Sequence, residues 1–243
     1  MAGLTGHQSL NGRNIMIIIT GASRSIGKYL FQEYSTEYPV VGTYLSSQPD
    51  FDLRKGNMFN VDVSSYESVC SLYNKIKVEL KDITLINCAG VSYNAFTHKS
   101  DPEAWKKVIE TNLIGTYHTI RAFLPIMREQ QFGWIINFSS VVAQKGTQGV
   151  SAYAASKSAL WGLAKSISQE NGSLNITINN INLGYVKIGM GVEQVPEHYQ
   201  EVLKKQIPSG EFCEPADIFK TVEFLRNNSY LNGSSIDLSG GLI

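Results

Sequence analysis

Seven short runs rich in apolar and β-branched residues punctuate the chain: Ile15 to Thr20, Val40 to Tyr44, Met58 to Val61, Ile83 to Asn87, Trp134 to Ser139, Ile176 to Asn182 and Ser235 to Leu238. Each suits a strand. Several are apolar at consecutive positions rather than alternating, the pattern of strands covered on both faces of a parallel sheet. Between them, longer amphipathic segments predict helices over Ser25 to Thr36, Ser65 to Lys81, Pro102 to Gln130, Ala152 to Gln169 and Pro215 to Asn227. Asp101 before Pro102, with Glu103 following, marks a helix start, and Pro125 is expected to kink that long helix near its end. Leu45 to Asn57 holds Pro49 and Gly56 and lacks helical spacing, so the crossover helix there is expected to be short or missing.

Alternating strands and helices over 243 residues, with no linker-like interruption, imply one α/β domain over residues 14–243. The predicted architecture is a Rossmann-type, doubly wound, mostly parallel seven-stranded sheet with helices on both faces. Residues 1–13 read as a mobile extension. Twenty-one basic against 21 acidic residues leave no net charge to draw a polyanion, so nucleic acid is not an expected partner. Cys70, Cys88 and Cys213 show no metal-like spacing, and an odd, scattered count suits free thiols in the cytoplasm. Residues 1–14 lack the apolar stretch of a signal peptide, and no run approaches the roughly 20 apolar residues of a membrane span.

Two places carry chemistry. The first predicted strand runs into Gly21-Ala22-Ser23-Arg24-Ser25-Ile26-Gly27 and then a helix, which sets backbone N–H groups where a phosphate would sit; such a turn also serves as a plain connection. Tyr153 and Lys157 stand four apart on a predicted helix and so share a face, where an ammonium can favour the phenolate. That spacing alone is weak, because Tyr73 and Lys77 repeat it on an ordinary amphipathic helix. What singles out Tyr153 is Ser140, thirteen residues upstream at the C-terminal end of a predicted strand, the edge at which open α/β sheets hold ligands. Ser139 beside it is the competing serine.

In order along nearly the whole chain, these residues resemble the short-chain dehydrogenase/reductase family. Thr20 to Gly27 matches its TGxxxGIG motif, with Ser25 in place of the middle glycine; Asp62-Val63, Asn87-Cys88-Ala89-Gly90 and Asn112 follow, and the spacing from Ser140 to Tyr153 also matches. Asn182 to Ile188 resembles PGxVxT, with Leu183 for proline and Ile188 for threonine. The resemblance implies a ketone reductase in which Tyr153 gives the proton, Ser140 polarises the substrate oxygen, Lys157 holds the nicotinamide ribose and Asn112 positions a relay water. It also implies dinucleotide contacts from Gly21, Ser23, Arg24, Ser25, Ile26, Gly27, Thr43, Tyr44, Asp62, Val63, Asn87, Ala89, Gly90, Gly184, Val186 and Ile188. Ser25 is expected as a tolerated helix cap or phosphate ligand, with crowding of the cofactor as the alternative.

The second strand ends without an acid before Asp50, and Arg24 holds a position that is often basic in NADP-dependent members of the family it resembles, so the expected cofactor is NADP(H); the alternative has Asp50 or Asp52 reach the ribose of NAD. Residues 189–205, with Met190, Val192, Val195 and Tyr199, look like a substrate cover, and Tyr93, Phe96 and Val142 are candidate apolar walls. The C-terminal third resembles bacterial 3-oxoacyl-carrier-protein reductases, which puts a 3-oxoacyl thioester first as substrate. Gln131 and Leu174 replace arginines that dock the acidic carrier in such relatives. A sugar, polyol or secondary-metabolite ketone is the second enzymatic reading, and a dinucleotide-binding regulator without turnover is the third. A homotetramer or homodimer is implied by the family, and no metal is expected.

Overall fold

The computed structural model describes residues 13–53, 56–189, 192 and 195–243. Seven strands, β1 (Ile17–Thr20), β2 (Val40–Tyr44), β3 (Gly56–Asn60), β4 (Thr84–Asn87), β5 (Gly133–Ser140), β6 (Ile176–Leu183) and β7 (Ser235–Leu238), form one sheet in the order β3-β2-β1-β4-β5-β6-β7. Every neighbouring pair is parallel. The chain leaves β1 toward β2 on one side and returns to β4 on the other, so the sheet has a switch point between β1 and β4, where such sheets open a crevice at the strands' C-terminal ends.

Consecutive apolar residues in the strands serve two cores. Ile17 and Ile19 face one with Leu30, Phe31 and Tyr34 of α1 (Ser25–Tyr34), while Ile18 faces the other with Val69, Leu72 and Ile76 of α2 (Tyr66–Ile76). Because successive strand side chains point to opposite faces, only an unbroken apolar run can satisfy both layers. On the second face α2 is joined by α4 (Gly115–Gln130) and α6 (Ser151–Asn171); α8 (Pro215–Arg226) joins α1 on the first. Arg226 is buried there, its guanidinium over the rings of Tyr34, Tyr38 and Trp134.

The segment expected as one helix over 102–130 is helical throughout and carries a π turn within it. It consists of α3 (Pro102–Ile109), a π turn (Glu110–Ile114) and α4, with Pro125 inside α4. Asp101 caps α3, its carboxylate accepting the Ala104 N–H at 2.8 Å. No helix joins β2 to β3 among the described residues. Two short helices complete the elements used below, α5 (Val142–Lys145) and α7 (Glu197–Lys204). No described helix is long and apolar enough to cross a membrane. Residues 1–12 of the predicted extension, and Met190 of the predicted cover, lie outside the described residues.

Candidate active site

The C-terminal ends of β1, β4, β5 and β6 bring the two predicted chemical centres to one edge of the sheet. At the β1 end, Gly21 has φ +65°, and a Cβ on it would stand 2.8 Å from Ala89 Cα; on Gly27 it would stand 2.2 Å from the Gly21 carbonyl oxygen. Only glycine permits so tight a turn. The buried Thr20 hydroxyl accepts the N–H groups of Cys88 and Ala89, both at 3.1 Å, and so ties the loop to the end of β4. Arg24 is the N-cap of α1 and supplies no capping side chain, so the helix N-terminus opens toward the cleft as an anion site would. Ser23, Arg24, Ser25, Lys28, Asp50 and Ile188 are among the residues lining a cleft of about 500 Å³ beside it. The tight glycine turn and open helix end fit a dinucleotide pyrophosphate.

Several of the expected cofactor residues also make contacts within the protein. Thr43 is buried, and its hydroxyl accepts the Gly21 N–H at 3.2 Å. Asp62 caps the turn into α2, accepting the Ser64 N–H at 2.9 Å and hydroxyl at 2.6 Å. Val63 is buried beneath Gly115, where a Cβ would come within 2.7 Å of it. Asn87 points into the sheet, donating to Asn137 Oδ1 at 2.8 Å and accepting from the Thr119 hydroxyl at 2.8 Å. Val186 is buried in a parallel bridge with Cys213, and the Gly184 N–H donates to the Leu238 carbonyl at 3.0 Å. Ile26 packs against the core, while Tyr44 sits half-buried at the end of β2.

The capping role expected of Ser25 is overturned. A cap needs an extended backbone just outside the helix; Arg24 has it, at φ −150°, whereas Ser25 lies one residue inside at φ +52°. Asp50 does not stand as a free acid for a ribose either. Its carboxylate pairs with Lys28 at 2.8 Å, and that hydrogen bond and charge hold it below the usual carboxylate range. The sequence reading missed Lys28; its position one helical turn after Arg24 was the available signal.

At the other centre, Ser140 ends β5, and Tyr153 and Lys157 project from α6. The Lys157 ammonium lies 5.5 Å from the Tyr153 ring centroid and donates to the Phe138 carbonyl at 2.7 Å. Burial lowers its pKa to about 8, with nearby Cys88 acting in the opposite direction. Burial raises the Tyr153 phenol to about 12, and a hydrogen bond with Ser140 pulls it back. Burial and the Ser140 hydroxyl thus act on the phenol in opposite directions. Ser139 is set apart from Ser140 by its partners: its hydroxyl donates to the Lys157 carbonyl at 3.0 Å and accepts the Trp161 indole N–H at 3.2 Å. Tyr73 stands on α2 with its ring edge-on to Phe123, and Lys77 donates locally to Asn74 Oδ1 at 3.4 Å.

Asn112 sits in the π turn, fully buried. Its amide accepts the Val91 N–H at 2.8 Å and donates to the Val91 carbonyl at 2.9 Å and the Ser156 hydroxyl at 3.1 Å. The extra residue of the π turn brings this side chain to the β4 loop, and Gly90 leaves it room, since a Cβ there would lie 3.3 Å from Asn112 Oδ1 and 3.8 Å from Lys157 Nζ. Ser156, which the sequence reading passed over, links Asn112 to α6 and donates to the Tyr153 carbonyl at 2.8 Å. Tyr93 and Val142 are half-buried and Phe96 is exposed. In the expected cover, Val192 and Val195 pack against a small cluster of Leu203, Ile207 and Phe212, and Tyr199 is exposed on α7.

Comparison with known proteins agrees with this arrangement. The chain is 34% identical over 233 residues to an acetoacetyl-CoA reductase of Shinella zoogloeoides, covering 92% of this chain and 96% of that one. It is 31% identical over 234 residues to a 3-oxoacyl-[acyl-carrier-protein] reductase of Haemophilus influenzae, covering 93% and 96%. The crystal structure of a 3-oxoacyl-[acyl-carrier protein] reductase from Brucella melitensis superposes with a TM-score of 0.82 at 27% identity, over 94% of this chain and 91% of that one. The sequence profile of the short chain dehydrogenases matches residues 15–198. The protein is an oxidoreductase that belongs to the short chain dehydrogenase family.

Proposed function

We propose that the protein is an NADPH-dependent ketoreductase that acts on a 3-oxoacyl thioester. The observation that carries the reading is the convergence of Ser140, Tyr153 and Lys157 on the sheet edge that also holds the Gly21–Gly27 cradle. The relatives named for acetoacetyl-CoA and 3-oxoacyl reduction support the substrate class. Arg24 at the cleft, with Asp50 engaged by Lys28, supports the phosphorylated cofactor.

The dinucleotide would lie with its pyrophosphate on the glycine turn and α1, its 2′-phosphate toward Arg24 and its nicotinamide ribose at Lys157; it supplies the hydride. Ser140 donates to the ketone oxygen and fixes the carbonyl against Tyr153. The Tyr153 hydroxyl passes its proton to that oxygen as the alcohol forms, a role suited to a phenol that burial keeps protonated up to about pH 12. Lys157, charged below about pH 8, stabilises the phenolate left behind. Asn112 and Ser156 hold the β4 loop and α6 in register around it.

The test is kcat/KM for acetoacetyl-CoA and a panel of sugar, polyol and simple ketones, with NADPH and with NADH. The thioester with NADPH is expected to lead. Arg24→Ala should cost about tenfold to a hundredfold with NADPH, since a charge-assisted hydrogen bond contributes about 1.5–3 kcal/mol, and leave NADH nearly unchanged. A wild-type preference for NADH overturns the cofactor assignment, and a preference for a sugar ketone overturns the substrate. Dinucleotide binding without oxidation by any carbonyl would instead mark a binding protein.

A further inference from the structure

The phosphate loop and the turn after Ile188 meet at two residues with left-handed backbones, Ser25 at φ +52° and Gly189 at φ +72°. A Cβ placed on Gly189 would lie 1.9 Å from Ser25 Oγ and 2.8 Å from Ser25 Cβ, inside any tolerable contact. The hydroxyl can rotate away. The Cβ cannot, because the backbone of Ser25 fixes it. The next nearest atom, Ser25 Cα at 3.9 Å, is at ordinary van der Waals distance, so the whole conflict belongs to the Ser25 side chain. Ser25 and Ile188 also line the same cleft.

We propose that Ser25 is a positioning residue whose side chain sets how closely the Ile188–Gly189 turn approaches the phosphate loop, and thereby the width of the dinucleotide cleft. The inference rests on reading that cleft as a dinucleotide site. It gives the serine in the glycine motif a purpose that neither capping nor phosphate binding supplies. The space of the missing glycine is made up on the facing strand of chain, where Gly189 supplies a position with no side chain. A side chain is accommodated at 25 or at 189, and not at both.

Alanine at 189 should therefore carry two penalties: left-handed strain in every background, and a clash only when residue 25 has a Cβ. The test is the NADPH dissociation constant, by fluorescence titration, and the ligand-free unfolding midpoint of wild type, S25G, G189A, S25G/G189A and S25A/G189A. S25G is the reference background for the double variant, and its own change in dissociation constant is subtracted before the coupling is read. G189A should weaken binding about thirtyfold, and S25G/G189A should recover at least about tenfold of that loss, the size of a coupling between touching residues. S25A/G189A, which retains the Cβ, should stay close to G189A.

Equal effects of Gly189→Ala in the Ser25 and S25G backgrounds would overturn the proposal, as would full rescue by S25A/G189A. If G189A folds only when paired with S25G, the steric pairing is upheld by that fact; if it folds in neither background, strain alone is the cause and the pairing is wrong. A gain of about a hundredfold in NADPH affinity on S25G would also overturn it, by showing that the serine blocks the cofactor. Failure of wild type to bind either NADPH or NADH would sink the dinucleotide reading, while coupling in the midpoints would still report the contact.

Discussion

At the residue scale, Tyr153 and Tyr73 have the same local sequence spacing to a lysine and opposite surroundings. Tyr153 stands by Ser140 at the sheet edge, whose hydroxyl pulls the phenol pKa down, whereas Tyr73 packs edge-on against Phe123 behind α2. Tyr153→Phe should lower the single-turnover rate of hydride transfer by about a hundredfold to ten-thousandfold, the range expected for loss of a general acid, while NADPH still binds. Tyr73→Phe should leave that rate unchanged, and equal effects of the two would remove Tyr153 from the mechanism. The distinction between Ser139 and Ser140 has a similar origin. Ser139 bonds the Lys157 carbonyl and the Trp161 indole farther along α6, whereas Ser140, the last residue of β5, stands by Tyr153 in the first turn of that helix.

At the scale of elements, helix and strand types were legible because they follow from periodicity, and their ends moved by a few residues. What periodicity could not convey is the π turn at Glu110–Ile114. Its cause is tertiary: Asn112 is held by both backbone groups of Val91, across from another element. The polar line through the sheet was equally hidden. Asn87 donates to Asn137 Oδ1 at 2.8 Å, Asn137 to Asn180 Oδ1 at 3.1 Å, and Asn180 to the Ser235 hydroxyl at 3.0 Å, so β4, β5, β6 and β7 are linked by side chains as well as by backbone. Asn180→Val would strand the buried Asn137 amide. Urea unfolding should show a loss of about 1–3 kcal/mol, the cost of an unsatisfied buried group, with kcat altered less than about threefold because the residue lies below the catalytic edge. An unchanged stability would mean that the line is not a structural tie.

At the scale of the whole molecule, the folded state must bury the Lys157 amine, and its pKa falls from 10.5 to about 8 as a result. Between those values the unfolded chain binds more protons than the folded one, so this group's contribution to stability rises with pH from about 8 toward 10.5 and is least favourable below 8. The shift amounts to on the order of 3 kcal/mol. Lys157→Met should therefore be more stable than wild type at pH 7, and the difference should shrink as pH climbs through that window. Chemical unfolding of both proteins from pH 7 to 10 tests this, and a constant difference would contradict it. Comparing the two proteins cancels the opposing contribution of Cys213, whose thiol is raised to about 11 by burial. The same titration bears on turnover, since reduction should decline as Lys157 loses its proton above about pH 8.

The sequence by itself determined the layered sheet, because runs such as Ile17 to Ile19 are apolar on both faces, and it determined the two chemical centres, because the glycine turn and the Ser140, Tyr153 and Lys157 set are patterns of residue type and spacing. Spacing says which side chains share a strand end or a helix face. It does not say what lies opposite. Tertiary structure alone decided that the Thr43 hydroxyl braces Gly21, that Asn87 bonds Asn137 and Thr119, that Ser140 stands at the Tyr153 phenol, and that Ser25 faces Gly189. Those facts depend on contacts between residues far apart in the chain, whose distances are set only when the layers close on one another.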